Sequence, residues 1–169
     1  MNGNSREIEA ALQEHRIDLG LVEGICRLPN LRYTTFLQDE LVAVVHTGSK
    51  LSLPDEITPE DLSRIPLVLR ERGSGTLDVF ERALSEHNMK LSSLNVLLYL
   101  GSTESIKLFL EHTDCIGIVS IRSISRELLS GTFRVIEIKG EFCFAQPQGQ
   151  ESGLSQVLMQ FAMHHNKKL

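Results

Sequence analysis

An α/β fold built on a largely parallel sheet is predicted by three features of this sequence. Short apolar runs of strand length alternate with segments of helical periodicity along most of the chain. The run over residues 41–45, Leu-Val-Ala-Val-Val, is unbroken, as in a strand covered on both faces. Two strand-to-helix junctions, Gly73-Ser74-Gly75-Thr76 and Gly101-Ser102-Thr103-Glu104-Ser105, end in glycine beside hydroxyl residues. Ligands of such sheets sit beyond the carboxyl ends of strands, where junctions of this kind fall.

The elements follow in order. Asn4-Ser5-Arg6-Glu7 is a helix start, a capping residue with an acid three positions on, and Ile8, Ala11 and Leu12 mark the apolar stripe behind it. Residues 18–22 read as a short buried strand ended by Glu23-Gly24, and residues 31–37 and 40–46 as two more. Residues 49–54 form a loop, and Asp55 and Glu56 are surface charges in it. Thr58-Pro59-Glu60-Asp61-Leu62 is a short capped helix with proline at its first position. Residues 67–69 are a strand, and Leu77, Phe80, Ala83 and Leu84 form one face of the next helix. A strand over 94–100 precedes a helix faced by Ile106, Phe109 and Leu110. A strand over 116–121 precedes a helix marked by Ile121, Ile124, Leu128 and Leu129 and closed by Gly131. Strands over 133–138 and 142–145 follow, then the most regular helix stripe, Leu154, Val157, Leu158, Phe161 and Ala162, and a polar tail.

Composition narrows the function. With 169 residues, 41% of them hydrophobic, the chain has material for one domain or two small lobes. No apolar run spans a bilayer, and no basic-then-apolar leader opens the sequence, so a cytoplasmic protein with no membrane partner is expected. Cys26, Cys115 and Cys143 are odd in number and widely spaced, as for reduced thiols. The net charge is −5, and the basic clusters, Arg70/Arg72 and Lys167/Lys168, are small. A nucleic-acid-binding face is therefore not expected on this chain itself.

The two glycine and hydroxyl junctions carry the chemistry. A helix N-terminus presents free backbone N–H groups and a positive dipole end, which together hold small anions. Gly73, Ser74, Gly75 and Thr76 are candidate ligand contacts on this ground, with Arg72 as a possible charge-assisted fork. Ser102 and Thr103 are candidates on the same argument, and Asn4, Ser5 and Glu23 are candidates from the first part of the chain. Plain helix capping is the competing role for each hydroxyl, a solvated loop position for Arg72 and a turn position for Glu23. No catalytic group stands out: Ser74 is not in a Gly-x-Ser-x-Gly elbow, and the glycine-rich loop lacks a P-loop lysine. No metal-ligand spacing appears among the histidines, and no cofactor is implied. Cys26 and Cys115 are not in a Cys-x-x-Cys arrangement that would lower a thiol pKa.

Several segments in series resemble the effector-binding domain of LysR-type transcriptional regulators. They are Gly3-Asn4-Ser5-x-Glu7-Ile8, Asp18-Leu19-Gly20-Leu21-Val22-Glu23-Gly24, Asp39-Glu40-Leu41-Val42-Ala43-Val44-Val45-His46, Arg70-Glu71-x-Gly73-Ser74-Gly75-Thr76, Gly101-Ser102-Thr103-Glu104-x-Ile106, Gly117-Ile118-Val119 and Glu127-Leu128-x-x-Gly131. The resemblance implies a two-lobed fold like type-2 periplasmic binding proteins, with two crossing strands. Residues 1–40 plus 132–169 would form lobe I and residues 41–131 lobe II. The first strand-helix-strand of the family's domain and its winged helix-turn-helix have no counterpart here, so an incomplete first lobe is expected. The resemblance further implies a small anionic effector in the interlobe cleft, a homodimer that associates further to a tetramer, and DNA contact only through a separate N-terminal domain. A free-standing solute-binding protein of the same fold is the alternative. The stripes over 8–12, 41–45 and 154–162 are the candidate contact surfaces between copies, with core burial the competing role.

Overall fold

The computed structural model describes residues 1–22, 28–33 and 40–138. Helix α1 (Ser5–Gln13) opens the chain. Asn4 caps it, accepting from the Glu7 amide while the Glu7 side chain accepts from the Asn4 amide. Six strands follow: β1 (Leu41–His46), β2 (Glu56–Ile57), β3 (Leu67–Arg70), β4 (Val96–Leu100), β5 (Ile116–Ser120) and β6 (Phe133–Ile138). Between them lie α2 (Gly75–Glu86) after β3, α3 (Thr103–His112) after β4, and α4 (Ser125–Leu129) before β6. The segment Pro59–Ser63 is a 3₁₀ turn capped by Thr58 and Asp61, where the sequence predicts a short helix.

The strands form one sheet in the order β2-β6-β1-β5-β3-β4. The pairs β3–β4, β3–β5 and β2–β6 are parallel, and β1 runs antiparallel to both neighbours, β5 and β6. The sheet is therefore mixed rather than largely parallel. The apolar run in β1 reports burial on two faces, which a central antiparallel strand covered by helices satisfies as well as a parallel one.

Side-chain alternation along the strands divides the core in two. Leu41, Ala43 and Val45 of β1 with Leu67 and Leu69 of β3 pack on one face, under Leu77, Phe80 and Leu84 of α2. Val44 and Val68 pack on the other face with Ile106 and Leu110 of α3, Ile124 and Phe133. Helix α3 lies so close to β5 that a Cβ at Gly117 would meet Ile106 Cγ2 at 3.0 Å and Leu110 Cδ1 at 3.1 Å. Helices α2 and α3 thus each come shortly after a strand and are held by their apolar stripes, which fixes where their N-termini lie.

Several expectations need correction. Residues 18–22 form no strand, and Leu19 and Leu21 are 87% and 76% exposed. No strand among the described residues pairs with them, and a lone extended segment has no ladder to stabilise it. Residues 31–33 are irregular, and the rest of the strand predicted over 31–37 lies outside the described residues. Glu56, read as loop, belongs to β2, whose pairing with β6 is too short to leave a hydrophobic alternation. The stripe over 41–45 is core rather than a contact surface, and Ile8 and Ala11 are buried too. The strand over 142–145 and the helix over 154–162 lie outside the described residues.

Candidate functional site

Three helix N-termini meet at one recess of about 630 Å³. It is lined by Asn4, Ser5 and Glu7 from the start of α1, by Ser74 and Gly75 from α2, and by Ser102 and Thr103 from α3, with Arg70 and Glu71 at the end of β3. The segment Asn2-Gly3, Leu21 and Gly101 complete the rim. Local contacts explain the convergence. Strand β3 lies beside β4, so the junctions that follow them emerge side by side from their carboxyl ends. Helix α1 is seated on the first junction: the Arg6 amide donates to the Gly73 carbonyl at 3.2 Å, and Arg6 Nη2 meets Asp78 Oδ1 of α2 at 2.9 Å. Gly73 permits this seat. Its φ is +94°, and a Cβ there would meet Asn4 Oδ1 at 3.1 Å and Arg6 Cδ at 3.3 Å.

The recess is rich in donors. Ser74 Oγ accepts from the Leu77 amide at 3.1 Å, which leaves its hydroxyl hydrogen to donate. Thr103 Oγ1 accepts from Arg70 Nη1 at 3.3 Å, with the same consequence. Ser102 Oγ accepts from the Ser105 amide at 3.1 Å and lies 2.8 Å from the Ser105 hydroxyl. The amides of Gly75 and Thr103 have no acceptor among the described residues, as expected at the first position of a helix. Formal side-chain charges, Arg70 against Glu7 and Glu71, sum to −1. Three dipole ends of roughly +0.5 each outweigh that locally.

Arg70 Nε and Nη2 grip Glu71 Oε2 and Oε1 at 2.9 and 3.2 Å. Burial alone would raise the Glu71 pKa. The Arg70 hydrogen bonds and charge, with lesser contributions from the Glu71 backbone and the nearby Asn4 side chain, outweigh it and hold this carboxyl below its ordinary value. Glu71 is therefore a carboxylate at neutral pH.

Of the residues singled out from sequence, Asn4, Ser5, Ser74, Gly75, Ser102 and Thr103 share this recess. Gly73 and Thr76 are buried beside it without lining it. Arg72 lies in the turn after β3, exposed and outside the lining. Glu23 lies outside the described residues. Arg70 and Glu71 were not among the candidates. The available signal was position: Arg70 ends a strand, at the carboxyl edge where ligands of such sheets sit.

Elsewhere, burial pushes the Cys115 thiol up to about 11, with the charge of Asp114 adding to the effect. That makes Cys115 a poor nucleophile at neutral pH, and Cys26 lies outside the described residues. Among the described residues no cluster of three or more His, Cys, Asp or Glu could hold a metal ion, and no helix is long and apolar enough to cross a membrane.

Residues 1–166 match the model of the LysR substrate binding domain. The chain belongs to this family. An uncharacterized HTH-type transcriptional regulator of Escherichia coli K12, YeiE, is 33% identical over 136 residues, which is 80% of this chain and 45% of that protein. The HTH-type transcriptional activator CmpR of Synechocystis is 28% identical over 98% of this chain and 55% of its own length. The chain thus spans about half the length of these two relatives. The Synechocystis PCC6803 CcmR regulatory domain, solved in complex with 2-PG, superposes with a TM-score of 0.67 at 22% identity, over 98% of this chain and 81% of that one. The effector binding domain of QuiR, solved in complex with shikimate, gives 0.68 at 19% identity, over 98% and 79%. The LysR-family fold, a mixed α/β sheet like that of periplasmic binding proteins, is therefore that of this chain.

Proposed function

We infer that this chain is the signal-input domain of a bacterial LysR-type transcription factor, and that its recess binds a small anionic effector without altering it. The observation that carries this reading is the convergence of three helix N-termini, donor-bearing hydroxyls and Arg70 on one recess. Free amide and hydroxyl donors at helix N-termini, beside an arginine, suit carboxylate or phosphate. Relatives of this fold bound to 2-PG and to shikimate support an acidic metabolite. The effector would favour one arrangement of lobes, with residues 41–131 as the second lobe, or one packing of a homodimer or tetramer in the cytoplasm. That difference would pass to DNA-binding domains outside this chain. A coupling of about 1–3 kcal/mol is enough.

The alternative, a free-standing solute-binding protein, is disfavoured because the relatives above are named as transcriptional regulators. An enzyme is disfavoured on the same ground, and no acid–base pair is free for chemistry in the recess, since Arg70 and Glu71 hold each other.

A thermal-shift screen of small metabolites tests the reading. At a hundredfold excess over Kd a true effector stabilises the domain by about 2.7 kcal/mol, a rise of roughly 5–10 °C in Tm for a domain of this size. Hits are expected among carboxylates and phosphate esters. A screen whose hits are only cationic or neutral compounds contradicts the reading.

A further inference from the structure

Arg70 is the one cationic side chain among the described residues lining the recess, and it is already engaged within the protein. Its two-point grip on Glu71 takes one of the two guanidinium edges that can pair with a carboxylate, and Nη1, on the other edge, donates to Thr103 Oγ1. Neighbouring residues of a strand ordinarily point to opposite faces. Here β3 ends at Arg70, and both side chains line the same recess. The pair is partly desolvated, with side chains 15% and 25% exposed. The Asn4 side chain, at the cap of α1, lies near enough to favour the Glu71 carboxylate as well. An effector carboxylate bound among these helix ends would seek the same donors.

We propose that Glu71 is an internal competitor: its carboxylate holds the Arg70 fork, and the effector's anionic group exchanges with it. The proposal rests on the anion-binding reading above and adds what sets its selectivity. An incoming anion gains only the difference between its own pairing with Arg70 and the pairing it displaces. A weak monodentate acceptor gains nothing. A carboxylate or phosphate that also reaches the Gly75 and Thr103 amides gains the helix-end bonds in addition.

A different role for Glu71 makes the opposite forecast. If its carboxylate only orients Arg70, removing it disorders the guanidinium and weakens anion binding. The test is titration with sodium sulfate at constant ionic strength, followed by calorimetry, on the wild type, Glu71→Gln, Glu71→Ala and Glu7→Gln. The Glu71 amide bond to the Leu100 carbonyl, at 3.1 Å, is main chain and survives every one of these changes. Gln at position 7 still completes the α1 capping box and removes one rim charge that does not touch Arg70. Competition predicts that both Glu71 variants bind sulfate about tenfold more tightly than wild type, while Glu7→Gln changes affinity less than about threefold. Unchanged or weaker binding by the Glu71 variants overturns the proposal, and so does equal tightening by Glu7→Gln, which would report charge alone. In both cases a wild type that binds sulfate leaves the anion recess standing. No sulfate binding by any of the four proteins overturns the anion reading as well.

Discussion

Replacing Arg70 by methionine is expected to weaken binding of an acidic effector about 10- to 100-fold, as measured by calorimetric Kd, because one charge-assisted contact contributes about 1.5–3 kcal/mol. The arginine is placed for this. It ends β3, its Nη1 reaches Thr103 of α3, and it is the recess's cation among the described residues. Methionine keeps the length of the side chain and removes every donor. The same change strips Glu71 of its partner. That carboxylate is only partly buried, so water limits the loss of stability. Affinity is therefore expected to fall further than Tm. An unchanged Kd would mean that the helix ends hold the effector without help from this charge.

Phe80→Ala is expected to produce the largest loss of stability, about 3–5 kcal/mol by calorimetry or denaturant unfolding. Phe80 is fully buried on α2 and packs over the sheet face formed by Leu41, Ala43, Val45, Leu67 and Leu69. The substitution leaves a cavity under the helix whose first turn supplies Ser74 and Gly75 to the recess. A drop below about 1 kcal/mol would show that α2 is not held by this contact.

The two junctions were legible in the sequence because glycine beside hydroxyl residues at the end of an apolar run has few other physical uses. Ser74 and Ser102 do cap α2 and α3, and both lie in the recess. Capping and lining are therefore not exclusive roles, since the oxygen serves the helix and the hydroxyl hydrogen takes no part in the cap bond. Which of two nearby arginines turns inward was not legible from charge. It depends on where β3 stops, and a shift of two residues moves a side chain from strand end to turn. The pairing of Glu71 with Arg70 was hidden for a related reason: residues adjacent in a strand are expected to diverge, and these two converge where β3 ends. The direction of β1 was hidden because burial leaves the same apolar run in either orientation. The exposed Leu19 and Leu21 show the opposite failure, an apolar run with no neighbouring strand among the described residues to make it one.

The central claim is that separate helix ends serve one anion. An amide NMR titration with sulfate tests it directly, following the backbone N–H signals of Gly75 and Thr103. Both signals are predicted to move downfield together and to fit one common Kd. Movement of only one of them, or two distinct dissociation constants, would contradict the account.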